Sequence, residues 1–369
     1  NLFKRGIGNE TDIVSKEMYS WIDQGGDELT LRPELTAPVI RAYNQHQLTS
    51  TSPITRLYYL SNLFRRERPQ KGRQRQFSQY GVEALGSSYP EQDVEVISIA
   101  YNIYKMLNLS NISVKINTIG SPEIRDKYLM ELRGSIQKFS NDLSETDNNR
   151  LANNALRLFD SKDPICQEIL DDNAPLIYDF ISKDDLTQFN KIIEHLDYMN
   201  IPYSHDKKLV RGLDYYTHTT FEITSDRLGS QDALCGGGRY NKLIEELGGK
   251  PTPAVGFAAG IERLLIVLNK EIKKQPLDIY LILLGSETLS KGLLVADALR
   301  KKDFSVVVET LRRSMKSQMR EANKLNAKFV LIIGENELKN NNAIIKNMST
   351  SEQTEVSFND IVNSSFFLK

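Results

Sequence analysis

Two runs of strand character, TRLYYLSNLF (55–64) and FSQYGVEAL (77–85), flank a polar loop and set the pattern of this chain. Their alternation puts Phe77, Gln79, Gly81 and Glu83 on one face of the second strand. Arg65 and Glu67 share a face by the same count. Upstream, KEMYSWI and ELTLR bracket DQGGDE, which reads as a hairpin reversing at Gly25 and Gly26. RPELTAPVIRAY follows as a helix with Pro33 in its first turn and Glu34 near the positive end of its dipole. Helical periodicity returns over 91–107, and VKINTIG (114–120) reads as a strand. Ser121 and Pro122 then supply a cap and first turn for another helix.

From about 122 to 205 the pattern becomes polar and helical, with stretches such as SNDLSETDNN and no strong strand, as in an inserted helical subdomain. Strand character resumes over LVRGLDYYTHTTFEI (209–223), a glycine cluster occupies 236–238, and PAVGFAAGIERLLIVLN reads as a strand end turning into a buried helix. After a polar linker near 270–277, strands DIYLILL, FSVVVE, KFVLIIG and one near 343–347 alternate with helices at 287–301 and 314–326. Such alternation predicts a small α/β domain with a mostly parallel sheet. The expected domains are therefore 1–275, with the helical insertion at about 122–205, and 276–369.

Composition narrows the picture only a little. The 369 residues are 40% hydrophobic and 26% charged, enough for two or three domains around sizeable cores. No apolar run is long enough to span a bilayer, which sets membranes aside as partners. Cys166 and Cys235 are the only cysteines; they form no disulfide framework and fit a reducing cytoplasm. Neither pairs with the four histidines at metal-ligand spacing, so no protein ligand to a metal is assigned. Net charge is −1, so binding to a polyanion must rest on local patches.

The strongest patch is the loop at 65–75, where Arg65, Arg66, Arg68, Lys71, Arg73 and Arg75 meet a single acid, Glu67. A solvated basic hairpin accounts for the charge. The convergence of an arginine, an aromatic ring, an amide and a carboxylate on one sheet face fits a small-molecule pocket beside a phosphate clamp. In LRPELT, Glu34 and Thr36 sit at a strand-to-helix junction, where carboxylate and hydroxyl could hold an ammonium group or simply start a helix. Three glycines in CGGGRY let backbone approach closely, as a turn does or as the wall of a ligand site does. In GFAAGIERL, Arg263 enters an apolar helix, which is costly without a partner.

These segments together resemble the histidyl-tRNA synthetases, a branch of the class II aminoacyl-tRNA synthetases. LRPELT is similar to their LRPEGT motif, with Leu35 in place of the usual glycine, and the basic hairpin resembles motif 2. RGLDYY followed by TTFE, and CGGGRY after it, resemble two histidine-specific motifs, while GFAAGIERL resembles motif 3. The resemblance implies an α+β chain: an antiparallel sheet core with a helical insertion, and a C-terminal α/β anticodon-binding domain. Motif 1 would precede Asn1.

What the resemblance implies for chemistry is the ligation of L-histidine to tRNA-His through histidyl-adenylate, with ATP as substrate, Mg²⁺ on its outer phosphates, and a homodimer as the assembly. Arg65 and Arg211 would be catalytic, gripping the α-phosphate. Glu67 would meet the adenine amino group, Phe77 and Arg263 would stack on opposite adenine faces, and Arg73 would reach the terminal phosphates. Glu34, Thr36, Gln79, Arg211 and Tyr215 would surround the histidine, with Gly236 and Gly237 lining its pocket. Glu83 and Tyr216 would bind the two imidazole nitrogens from opposite sides. Arg239 and Tyr240 are assigned to packing, and Glu262 either to Arg263 or to a metal ion. The stripe Arg313, Lys316, Arg320 and Lys324, with Lys328 beyond, resembles an RNA-backbone surface and reads equally as a solvated helix face. A second family shares the core: the histidine-sensing regulatory subunit of ATP phosphoribosyltransferase. Such subunits lack the C-terminal domain and lose the ATP-binding arginines, which stand here.

Overall fold

The computed structural model describes residues 2–8, 11, 13–210, 213, 215–228, 233–269 and 276–363. The chain divides into two compact units, Asn1–Lys270 and Glu271–Lys369.

In the first unit the chain runs through α1 (Leu2–Ile7), β1 (Ser20–Ile22), β2 (Glu28–Thr30), α2 (Thr36–Gln45), β3 (Thr55–Phe64), β4 (Gln76–Leu85) and α3 (Pro90–Met106). It continues through β5 (Ile112–Thr118), α4 (Pro122–Ile136), α5 (Glu145–Asn153), α6 (Pro164–Asn173), α7 (Lys183–Tyr198) and β6 (Tyr203–His205). The unit closes with β7 (Thr217–Ser225), β8 (Ala233–Arg239), α8 (Leu243–Glu246), β9 (Ala254–Gly260) and α9 (Ile261–Leu268). Seven strands form one sheet in the order β3-β4-β9-β8-β7-β5-β6, antiparallel except for the β5–β6 pair.

Strand parity decides the two faces of this sheet. Ala84, with Tyr80 and Val82 beside it, turns to a core shared with Val96, Ile97 and Tyr104 of α3 and Phe189, Ile192 and Leu196 of α7. Phe77, Gln79 and Glu83 turn the other way, into an open cleft. A second core joins Ile40 and Tyr43 of α2, Leu243 and Ile244 of α8, and the insertion residues Tyr128, Leu132, Leu158 and Leu170. The helical stretch expected across 122–205 therefore divides. Residues 122–179 are helical in α, 3₁₀ and loop segments, whereas α7 packs on the sheet and β6 extends it. Three consecutive residues in β6 were too short a signal to stand out from the polar sequence around them.

Other expectations shift by local chemistry. The hairpin of β1 and β2 pairs Trp21 with Leu29, but Ile13–Glu17 ahead of it forms one π-helical turn rather than strand. α2 begins at Thr36, so Pro33 and Glu34 precede the helix. The cause is Glu34, whose carboxylate accepts hydrogen bonds from the Thr36 and Ala37 amides at 2.7 and 3.0 Å and so satisfies the open end of the helix. Among the described residues of 209–223, only Thr217 onward is strand; Arg211, Gly212 and Asp214 lie outside the described residues.

The second unit contains β10 (Ile279–Leu283), α10 (Leu289–Arg300), β11 (Val306–Val308), α11 (Met315–Lys324) and β12 (Phe329–Ile333). After these come α12 (Glu335–Lys339), β13 (Asn342–Asn347), β14 (Gln353–Ser357) and α13 (Phe358–Asn363). The sheet order is β11-β10-β12-β13-β14, parallel through the first three strands and antiparallel through the last two. The parallel part follows from fully buried runs such as IYLIL. β14 carries Gln353, Thr354 and Glu355 exposed at the sheet edge, a polar pattern with no strand signal of its own.

Candidate active site

The cleft of the first unit measures about 770 Å³ and is walled by β3, β4, β8 and β9, the start of α2, and the insertion. Glu34, Thr36, Arg65, Glu67, Arg73, Phe77, Gln79, Glu83, Tyr215, Tyr216, Gly236 and Arg263 all line it. Gly237 does not. A side chain there would overlap the Gly256 carbonyl and the Phe221 ring, so this glycine serves the close packing of β8 on β9 rather than the pocket wall.

At one end of the cleft the basic hairpin is held in shape by its own charges. Arg65 N–H and the Arg75 carbonyl close its base at 2.9 Å, and the Arg65 guanidinium donates through Nε to the Pro33 carbonyl at 2.9 Å. The same guanidinium lies 5.2 Å from the Phe77 ring centroid, a cation–π contact that keeps its fork facing the cleft. Glu67 stands between Arg65, at 3.7 Å, and Arg73, at 3.3 Å, so its acid organises two cations. Across the cleft Arg263 donates to the carbonyls of Gly72, at 3.1 Å, and Ala233, at 2.8 Å. It thereby ties the hairpin loop to β8. Glu262, left between two roles by the sequence, accepts the Ser78 amide of β4 on both carboxylate oxygens at 2.8 and 3.0 Å.

At the other end two carboxylates are buried side by side. Glu83 is 1% exposed and Glu34 4% exposed. Burial pushes the Glu83 carboxyl up to about 8 and the Glu34 carboxyl up to about 7, against the lowering pull of their hydrogen-bond donors. Thr36 donates from Oγ1 to Glu83 Oε1 at 2.8 Å, and Tyr240 donates its hydroxyl to Glu83 Oε2. Tyr240, assigned to packing by its sequence, is thus in direct contact with a pocket carboxylate. Arg239 meets the packing assignment: it pairs with Asp93 of α3, both buried, and donates to the carbonyls of Ser87 and Tyr89.

Tyr59, on the inward face of β3, and Glu222 of β7 also line the cleft, as do Arg150, Arg157 and Lys162 of the insertion. Parity along β3 contains the signal for Tyr59, two residues at a time from Arg65. The insertion residues carry none, because only the folded chain brings them over the sheet.

In the second unit the basic stripe is not uniform. Lys316, Arg320 and Lys324 are exposed on or beside one face of α11. Arg313 lies ahead of that helix and binds the carboxylate of Glu309, itself 2% exposed, which also accepts the Tyr280 hydroxyl and the Leu311 amide, each at 2.7 Å. This arginine neutralises a buried acid instead of standing free for RNA.

Residues 5–264 match the sequence family described as Histidyl-tRNA synthetase, and residues 278–364 match the one described as Anticodon binding domain. The chain belongs to the histidyl-tRNA synthetase family. It is 45% identical over 368 residues to a histidine–tRNA ligase of Chlorobium luteolum, covering 98% of this chain and 85% of that one. The crystal structure of apo S. aureus histidyl-tRNA synthetase superposes with a TM-score of 0.77 at 34% identity, covering 97% of this chain and 88% of the other. A Bacillus halodurans structure titled ATP phosphoribosyltransferase regulatory subunit/histidyl-tRNA synthetase shares the fold, with a TM-score of 0.61 at 24% identity over 90% of this chain and 86% of that one. The synthetase fold, with its antiparallel core and separate C-terminal α/β unit, is the one the sequence led us to expect. Family membership carries ATP as a substrate.

Proposed function

We propose how this chain, which charges tRNA with histidine, uses the cleft for its two steps. In the first, a carboxylate oxygen of histidine attacks the α-phosphorus of ATP, the bond to the β-phosphate oxygen breaks, and histidyl-adenylate and pyrophosphate result. In the second, the terminal ribose hydroxyl of tRNA-His attacks the acyl carbon and AMP leaves, its phosphate oxygen taking the proton.

The observation that carries this reading is the division of one sheet face into a cationic end and a buried carboxylate end. Arg65, oriented by Pro33 and Phe77, grips the α-phosphate as negative charge grows on it. Arg211, outside the described residues, shares that role. Phe77 and Arg263 take the two faces of adenine, Glu67 its amino group, and Arg73 the terminal phosphates. Glu34, Thr36 and Gln79 take the α-amino group of histidine, with Tyr215 and the backbone at Gly236 closing the pocket. Glu83 and Tyr216 bind the imidazole nitrogens, and an amino acid without that ring would leave the buried carboxylate short of a donor.

Mg²⁺ binds through phosphates, water and one or two carboxylates, and Glu222 and Glu262 on the cleft wall suit that donor set. When bound it would neutralise the outer phosphates. The second unit places the anticodon stem, with Lys316, Arg320 and Lys324 facing the RNA backbone. A homodimer fits the exposed edge strand β3, where Tyr58 and Leu60 are 86% and 65% exposed. Two reduced, buried cysteines fit the cytoplasm, and among the described residues no helix is long and apolar enough to cross a membrane.

The deciding experiment is histidine-dependent ATP–pyrophosphate exchange. Exchange with histidine and with no other amino acid is the expected result. Histidine binding without exchange would favour the regulatory-subunit reading and remove the roles given to the arginines.

A further inference from the structure

We propose that Tyr240 is a positioning residue for histidine recognition: its hydroxyl and that of Thr36 lock the Glu83 carboxylate in the orientation that meets the substrate imidazole. The inference rests on the reading of Glu83 given above and adds the group that holds it.

A glutamate side chain has three rotatable bonds, so burial alone does not aim its carboxylate. Here each oxygen has its own donor, Thr36 Oγ1 on Oε1 at 2.8 Å and the Tyr240 hydroxyl on Oε2. The two donors come from opposite walls, the start of α2 and the end of β8, and close on β4 between them. A third wall is Gly256 of β9, where an added Cβ would coincide with Glu83 Oε2. The carboxylate therefore fills space that every other residue type would occupy at 256.

Tyr240 is itself fixed. It is 1% exposed, its amide donates to the Ala254 carbonyl at 2.8 Å, and its ring meets Tyr215 edge-on with centroids 5.5 Å apart. Its hydroxyl has one proton to give, and giving it to Glu83 leaves the remaining lone pairs of that carboxylate for an imidazole N–H. The residue acts on histidine through Glu83, as a support whose own orientation is set by packing.

The titratable groups facing Glu83 are Glu34 ahead of α2, Tyr59 of β3, Tyr215 and Tyr216 ahead of β7, and Tyr240. Burial raises the Tyr59, Tyr215 and Tyr240 hydroxyls well above the usual tyrosine range, so they keep their protons while the two carboxyls, also raised by burial, exchange theirs. The Tyr240 bond holds the Glu83 carboxyl lower than burial alone would.

The test is pyrophosphate exchange from pH 5.5 to 9 on the full chain, comparing wild type, Tyr240→Phe, Glu83→Gln and the double variant. Tyr240→Phe should raise the histidine KM about 10- to 100-fold, the range for losing a hydrogen bond to a charged group, with the ATP KM unchanged. The acid limb of kcat/KM for histidine should move to higher pH, which a purely structural role would not produce. In the Glu83→Gln background the same substitution should add little. An unmoved acid limb, or an undiminished effect in that background, would overturn the proposal. Glu83→Gln with an unaltered histidine KM would instead remove the reading of Glu83 on which the proposal stands. If Tyr240→Phe does not fold, Tyr240→His carries the same pH and coupling tests, and an unmoved acid limb there would equally overturn the proposal.

Discussion

Thr36 and Glu83, 47 residues apart in sequence, are joined by a hydrogen bond of 2.8 Å between Oγ1 and Oε1, both groups buried. This bond fastens the start of α2 to the C-terminal end of β4 and makes one pocket from two motifs. It also places two buried carboxylates of the cleft, Glu34 and Glu83, around one hydroxyl-bearing residue, since Glu34 accepts the Thr36 amide.

That arrangement ties stability to pH. Burial raises both carboxyls above their unfolded values, Glu34 to about 7 and Glu83 to about 8. Their contribution is therefore complete below the unfolded value near 4.5 and is lost as pH rises through 7 and 8. Glu83→Gln, which cannot ionise, should gain thermal stability relative to wild type as pH goes from 5 to 8.5. Melting curves of the two ligand-free proteins across that range check this; a difference constant with pH would count against it.

Arg65 should not tolerate lysine. Its Nε donates to Pro33 while the guanidinium lies over Phe77, and an ammonium has no planar fork with which to keep both contacts and also bind a phosphate bidentately. We expect Arg65→Lys to lower kcat for pyrophosphate exchange by about 10²–10³, the range for losing one preorganised donor to developing charge, with the melting temperature kept. A loss confined to the ATP KM would argue that Arg65 binds ATP without stabilising the transition state.

The Arg239–Asp93 pair is a matter of stability. Both side chains are buried, 4% and 1% exposed, and Arg239 also holds the Ser87 and Tyr89 carbonyls that lead into α3. Asp93→Ala would strand the arginine, and we expect a cost of about 3–5 kcal/mol. Urea unfolding of the two proteins would measure it; a change below about 1 kcal/mol would mean the pair is solvated or replaceable.

In the second unit the stripe should separate into two behaviours. Charge removal at Lys316 or Arg320 should weaken tRNA binding and reduce the salt slope by about 0.7–0.9 for each phosphate no longer neutralised. Arg313→Ala should unfold the unit more easily, because Glu309 would lose its cation while staying buried. Filter binding at several salt concentrations, with melting curves on the same samples, distinguishes the two. Equal effects from Arg313 and Lys316 on binding alone would contradict the division.

The candidate site was legible wherever period and residue type coincided. Alternation along β4 was enough to put Phe77, Gln79 and Glu83 on one face, and the arginine fork was enough to mark the hairpin as a candidate phosphate clamp. Tyr240 was assigned to packing because a tyrosine two residues past a glycine run carries no mark of which way it turns. The stripe misassigned Arg313 for a related reason. Its spacing to Lys316 and Arg320 was helical, but the helix begins at Met315 and leaves Arg313 outside it, beside Glu309.

The sequence by itself determined the order of elements, the period of each strand and helix, and the residue types able to handle phosphate, carboxylate and imidazole. These are local properties, fixed by neighbours within a few positions. Only the tertiary structure decided which distant groups share a proton or a wall: Thr36 with Tyr240 on Glu83, Gly256 making room for that carboxylate, α7 and β6 leaving the insertion for the sheet. Such pairings depend on how sheet faces and cores close in three dimensions, and a buried acid takes its donors from whatever packing brings within hydrogen-bond distance.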